Sequence, residues 1–193
     1  MVASTHPNGP SWDQLFETAA AHAGYFTTQQ AATAGYSSQL LRKHMLAGRV
    51  MRAQRGIYRL VHFPASDHEA YMTAWLWSER VGVFSHQTAL VLHQLSDVLP
   101  SQLHLTLPST WQTRRLRIPL DLRLHYADLM SHERLWFDTM PVTSPARTLN
   151  DCARSGISPE VLRLAARQAL QRKLVKRSDL PTVLGVLKSF GGL

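Results

Sequence analysis

The feature that most constrains this chain is the order of signals between Gly24 and Leu60: a helix start, a glycine turn, a second helix start, then two short β-type runs around an arginine–glycine corner. Thr27 and Gln30 stand in a capping-box pattern, the threonine hydroxyl accepting from the N–H three residues on and the glutamine side chain reaching back. A helix is therefore predicted from about Thr28. Gly35 ends it, because a left-handed backbone costs glycine little. Gly35-Tyr36-Ser37 forms the turn and Ser37 caps the next helix, with Leu40/Leu41 and Met45/Leu46 as its predicted buried stripe. Ser38, Gln39, Arg42 and Lys43 are left facing outward. Val50 to Ala53 and Ile57 to Leu60 then pair as a hairpin across Arg55-Gly56. Upstream, Ser11 with Gln14 predicts one more helix carrying Leu15, Phe16, Ala19, Ala20 and Ala23 at helical spacing. Three helices and a hairpin in this order make a winged helix-turn-helix.

That fold points to a ligand. The outward N-terminal half of its second helix enters the major groove, where Gln and Arg side chains bond base edges and Ser and Lys hold phosphates. Ser37, Ser38, Gln39, Arg42 and Lys43 carry suitable chemistry, and the hairpin adds arginines at 49, 52, 55 and 59 as a basic wing. From Ala31 to Leu60 there are six Lys/Arg and no Asp/Glu, so the charge has one sign over a compact element, the footprint of a polyanion binder. The predicted DNA contacts are Ser37, Ser38, Gln39, Arg42, Lys43, Arg49, Arg52 and Arg55. A small helical scaffold with a solvated basic face is the alternative.

The stretch GYFTTQQAATAGYSSQLLRKHMLAGRVMRAQRGIYRL, Gly24 through Leu60, resembles the N-terminal domain of AbiEi-type antitoxins, the regulator half of the bicistronic abortive-infection (type IV) toxin–antitoxin systems. Phe84-Ser85-His86-Gln87-Thr88-Ala89-Leu90 through Pro141-Val142-Thr143-Ser144-Pro145-Ala146-Arg147-Thr148-Leu149 is similar to the region that follows in that family. The resemblance implies an autorepressor that binds double-stranded DNA at its own promoter and neutralises a nucleotidyltransferase-type toxin, directly or by acting on what the toxin modifies. A stand-alone transcriptional regulator or nucleic-acid-binding protein without a toxin partner is the other reading it allows. Operator symmetry in such regulators implies a homodimer on DNA.

Composition sets the remaining bounds. With 193 residues, 45% hydrophobic and 18% charged, the chain is long enough for one larger or two small globular domains. A net charge of +8 and a pI near 10.2 call for an acidic partner, and would suit RNA as well as DNA. The lone Cys152 permits neither an internal disulfide nor a cysteine-based zinc site, which fits a reducing cytoplasm. Neither a secretory signal nor a run of eighteen apolar residues is present, so no membrane partner is expected.

The domains are predicted as a flexible tail over 1–10, the winged domain over 11–63 and an α/β toxin-neutralising domain over 64–193. His62-Phe63-Pro64-Ala65 marks the boundary, followed by a helix capped by Ser66 with Glu69 and carrying Tyr71, Met72, Ala74, Trp75 and Leu76. Ser85 is expected to cap another helix. His86 and His93 share a face of it, but no further ligand stands at i+3 or i+4, so no metal site is predicted. Leu103, Leu105 and Leu107 alternate with polar residues, as do Leu116, Ile118, Leu120, Leu122 and Leu124, predicting two strands with an outward polar face. Pro119 suggests that the second is an edge strand. Ser144-Pro145 and Ser158-Pro159 open two more helices, and Ser178 to Pro181 a last one.

Arg114, Arg115, Arg117 and Arg123 near the second strand, with Arg163 and Arg167 on the penultimate helix, form a second basic set. It suits a partner or nucleic-acid surface, or an ordinary solvated face. No nucleophile elbow, phosphate loop or His-Glu-x-x-His pair occurs, and Asp128, Glu133 and Asp138, the nearest thing to an acidic set, read as loop caps. The sequence therefore predicts a two-domain α/β (α+β) regulator without catalytic residues, cofactor or metal.

Overall fold

Ser11 accepts a hydrogen bond from the backbone N–H of Gln14 and opens α1 (Trp12–Ala20), whose Leu15 and Ala19 are fully buried. The computed structural model describes residues 9–193, so most of the predicted tail over 1–10 lies outside the described residues. The chain divides into two units, one ending at Arg80 and the other Val81–Leu193.

In the first unit β1 (Tyr25–Thr27) leads into α2 (Thr28–Thr33), where both hydrogen bonds of the Thr27/Gln30 capping box are made. After the Gly35 turn, α3 (Ser38–Leu46) is capped by Ser37, and β2 (Val50–Gln54) and β3 (Ile57–Leu60) form the hairpin. The sheet is antiparallel in the order β1-β3-β2. Gly56, at φ +79°, supplies the left-handed backbone that the two-residue Arg55-Gly56 loop needs. Leu15, Phe26, Ala31, Tyr36, Leu41, Val50 and Leu60 fill the core between helices and sheet. This is the arrangement of a winged helix-turn-helix.

Gly24, between α1 and β1, lies directly against the Phe63 side chain. Its φ is +86°, and a Cβ there would stand 2.6 Å from Cγ of Phe63. Gly24→Ala adds left-handed strain to a steric clash and is expected to cost roughly 2–4 kcal/mol of stability, read by urea unfolding.

The first unit extends past the boundary expected at 63/64. Helix α4 (Glu69–Trp77) packs back on the winged domain, because Glu69 accepts from Nη2 of Arg59 at 2.9 Å and from the Tyr25 hydroxyl at 2.9 Å, with Met72, Trp75 and Leu76 buried. Ser66 does not cap this helix, which starts at Glu69 after His68; its hydroxyl accepts from the His68 N–H instead.

The second unit is a mixed sheet with four helices. Its strands are β4 (Val83–Phe84), β5 (Leu103–Leu107), β6 (Leu122–Tyr126), β7 (Arg134–Phe137) and β8 (Met140–Thr143), in the order β6-β5-β4-β8-β7. β4–β8 and β5–β6 run parallel, and β4–β5 and β7–β8 antiparallel. Helices α5 (His86–Leu92), α6 (Pro145–Arg154), α7 (Pro159–Gln171) and α8 (Pro181–Lys188) share a core that includes Leu90, Leu149, Cys152, Leu162, Ala166 and Leu187. Asn150 locks α6 to the start of α8: its amide donates to the Asp179 carbonyl and its Oδ1 accepts from the Thr182 N–H. No helix among the described residues is long and apolar enough to cross a membrane.

Two expectations about the strands change. The alternation from Leu116 to Leu124 yields a strand only from Leu122, since β5 offers five residues for pairing and the register begins at Leu103↔Leu122. Ile118 and Leu120 lie outside it, Leu120 almost fully exposed. Nor is the polar face of β5 turned to water: His104 and Thr106 are buried. Ser85 and Ser158 make no cap bond to the helix backbone, whereas Ser144 does, accepting from the Arg147 N–H.

Candidate nucleic-acid interface

Helix α3 is seated through its inner side. Leu41 is buried, and His44 stacks on Trp12 of α1 with ring centroids 5.3 Å apart while Tyr36 meets it edge-on. Burial, then the nearby Arg49, hold the His44 imidazole below its ordinary pKa, so it serves as a neutral packing group. With that side fixed, Ser38, Gln39, Arg42 and Lys43 fall within an arc of about 140° on the other side, at about 100° per residue. All four are exposed, as are Ser37 at the helix start and Arg49, Arg52 and Arg55 on and beside the hairpin. The Ser37 hydroxyl accepts from the Leu40 N–H at 3.2 Å, and its O–H can still donate. Arg52 lies along the wing, its Nε donating to the Gln54 carbonyl.

Two details depart from the sequence reading. Arg59 is not part of the free wing: its Nη2 donates to Glu69 and to the carbonyls of Phe63 and Pro64, and its guanidinium lies 5.6 Å from the Tyr25 ring. Met45 and Leu46 do not belong to the buried stripe. Leu46 sits about 140° around the helix from Leu41 and is 81% exposed.

The members of the second basic set differ in how free their side chains are. Arg115 and Arg117 are exposed in the connection after β5, Arg114 covers the Trp111 ring at 3.9 Å, and Arg123 is exposed on β6. Arg167 is exposed on α7, but Arg163 is tied down, donating to the carbonyls of Gly192 and Phe190. Arg172, further along, donates to the carbonyls of His93 and Gln94. Asp128 and Glu133 tie down loops, accepting from the N–H groups of Ser109 and Met130.

One cluster was not visible in the sequence. His86 on α5, His104 on β5 and His125 on β6 converge, with one ring nitrogen from each lying within 4.8 Å of the others. Nδ1 of His104 and Nε2 of His125 are 3.0 Å apart, one donating to the other, and the His86 and His125 rings stack with centroids 3.5 Å apart. Nδ1 of His86 meets the Ser85 hydroxyl, which accepts from Thr106. His86 also adopts φ +51°, an uncommon left-handed conformation for a non-glycine residue and of the sort that gathers at functional sites. Burial, with the neighbouring histidines and Arg147, pushes the His86 pKa down to about 3; burial, with His125 and Arg123, takes His104 down to about 4. Burial and Arg123 also lower His125, against the pull of Asp151. All three are neutral imidazoles at neutral pH. His93, read from the sequence as sharing a helix face with His86, bonds the Thr143 carbonyl through Nε2.

A cavity of about 300 Å³ opens beside the cluster, lined by His86, Thr106, His125, Arg147 and Asp151 among others. Arg147 sits between two carboxylates there, with Nε to Asp151 at 2.7 Å and Nη1 to Glu133 at 2.9 Å, and Arg154 takes the other oxygen of Asp151.

No curated protein matches the chain in a sequence search. The crystal structure of the RV2827C protein from Mycobacterium tuberculosis is similar with a TM-score of 0.50 and 14% identity, over 96% of this chain and 81% of that one, a likeness of fold alone. Residues 13–61, which run from within α1 to just past the hairpin, match the family described as transcriptional regulator, AbiEi antitoxin.

Proposed function

We propose that this protein is a DNA-binding autorepressor and antitoxin, holding its own promoter through α3 and the β2–β3 wing. The observation that carries this reading is the exposure of all eight residues Ser37, Ser38, Gln39, Arg42, Lys43, Arg49, Arg52 and Arg55 on the helix and hairpin that a winged domain presents to DNA. Five of them are cations, and the sequence from Ala31 to Leu60 contains no carboxylate to oppose a phosphate backbone. Gln39 and Arg42 are the base readers, with Ser37, Ser38, Lys43 and the wing arginines on phosphates or in the adjoining minor groove. The protein binds as a homodimer where the operator is symmetric. We infer that the second unit neutralises a nucleotidyltransferase-like toxin, a reading supported only by the antitoxin description of the family that residues 13–61 of the first unit match.

The test is binding of the purified chain to the DNA upstream of its own gene, against scrambled duplex and RNA of equal length, across a salt series. A preference of about 10³-fold or more for the promoter at physiological salt is expected of a specific regulator. Equal, steeply salt-dependent binding to all three would reduce the basic face to a non-specific electrostatic surface and sink the repressor reading.

A further inference from the structure

The histidine cluster of the second unit is not among the residues assigned to DNA, and its chemistry is distinctive. We propose that His86, His104 and His125 form a binding site for a late first-row divalent ion of the zinc class, with its remaining coordination position open to the adjoining cavity.

Three imidazoles without a carboxylate ligand select zinc, cobalt, nickel or copper over magnesium and calcium, which want oxygen. The spacing is close to what coordination needs. Two nitrogens on a tetrahedral zinc with bonds of about 2.0–2.1 Å stand about 3.3 Å apart, and Nδ1 of His104 and Nε2 of His125 are already 3.0 Å apart. The surroundings suit ligands more than bases. In the tautomer whose Nδ1–H donates to Ser85, itself held by Thr106, Nε2 of His86 is the lone-pair nitrogen, and this outer bond is of the kind that orients a metal-binding histidine. The N–H···N bond between His104 and His125 means that one of these two nitrogens carries a proton, which passes to the other nitrogen of its own ring when an ion binds.

The local charge also permits a cation. Arg147 is matched by Glu133 and Asp151, and Arg154 by Asp151, which leaves Arg123 as the uncompensated neighbour. Because both oxygens of Asp151 are taken by arginines, the fourth ligand is water from the cavity. Coordination requires one ring of the stacked pair to turn, since parallel rings do not aim their lone pairs at a common point. His125, half-buried at the cavity, has the room.

The experiment uses the full chain without an affinity tag, stripped with a chelator and titrated with Co²⁺, followed by displacement with Zn²⁺. Wild type is expected to take up one equivalent with the visible absorption of a tetrahedral site and to give it up to zinc. His125→Asn and His104→Gln should each lower affinity by more than the about 10–100-fold that loss of an outer-shell partner brings. His125→Asn replaces a half-exposed side chain and decides the matter if the buried His104→Gln does not fold by circular dichroism. No cobalt spectrum, uptake equal in wild type and His125→Asn, or stabilisation by inorganic phosphate with none by zinc would overturn the proposal.

Discussion

Arg147→Met is expected to lower the stability of the second unit by about 3–5 kcal/mol, because it removes one partner from a partly buried charge network and leaves the others behind. Asp151 is nearly buried, with 7% of its side chain exposed, and would keep only Arg154. Glu133 would lose Arg147 altogether and retain the Met130 N–H. The methionine keeps the stem's volume, so the loss reports charge and hydrogen bonding more than packing. Urea unfolding followed by circular dichroism reads the effect, and a loss below about 1 kcal/mol would mean that water replaces the guanidinium. The network carries a pH signature as well. Burial opposes the Glu133 carboxylate, but the bonds from Met130 and Arg147 outweigh it and hold its pKa below the usual 4.5. Its contribution is therefore complete above that value and is lost as the pH falls through the lower folded-state pKa. Wild type should lose stability faster than Arg147→Met on acidification below about pH 4.5, narrowing the gap between them.

The elements from α1 to the hairpin were legible in the sequence to nearly the residue, because their signals are local. A capping box, a turn glycine and a hairpin corner each act within four residues, and Thr27/Gln30, Gly35 and Arg55-Gly56 do as they say. What the sequence hid were long-range partners. Arg59 reads as one more wing arginine until Glu69, ten residues on, claims it, and the helix that carries Glu69 falls in the first unit, which ends at Arg80. In the second unit the alternation at Leu116–Leu120 had the right period but no partner strand to pair with. The histidine cluster was invisible for the same reason. His86 was weighed against His93 on its own helix, whereas its neighbours come from β5 and β6, and only the parallel register that sets His104 beside Arg123 and Thr106 beside His125 brings them together. A basic count cannot tell a free cation from a tethered one, so Arg163 and Arg167 looked alike.

Arg42→Ala and the double replacement of Arg52 and Arg55 by alanine should weaken operator binding in two distinguishable ways. Arg42 stands on the exposed side of α3 beside Gln39, and an arginine that reads a guanine there contributes about 1–3 kcal/mol of discrimination. Its loss should lower affinity for the promoter by about 5- to 150-fold, leave non-specific duplex binding much less affected, and relax the preference at one base position. Arg52 and Arg55 lie exposed on the hairpin, where the proposed complex would set them against the phosphate backbone. Removing both should weaken specific and non-specific binding alike and reduce the slope of log affinity against log salt by about two, since each neutralised phosphate contributes about 0.9. Arg59→Ala separates these effects from general damage to the domain. Its guanidinium is bound to Glu69 and to main-chain carbonyls, so it should cost stability and leave the salt slope unchanged once the protein is folded. Because α3 is held by Trp12, Tyr36 and His44 on its inner side, Arg42→Ala should not disturb the fold, and an unfolding midpoint equal to wild type is the companion measurement. If promoter affinity and salt slope both survived the loss of Arg42, Arg52 and Arg55 together, the DNA-facing side of this domain would have to be sought elsewhere.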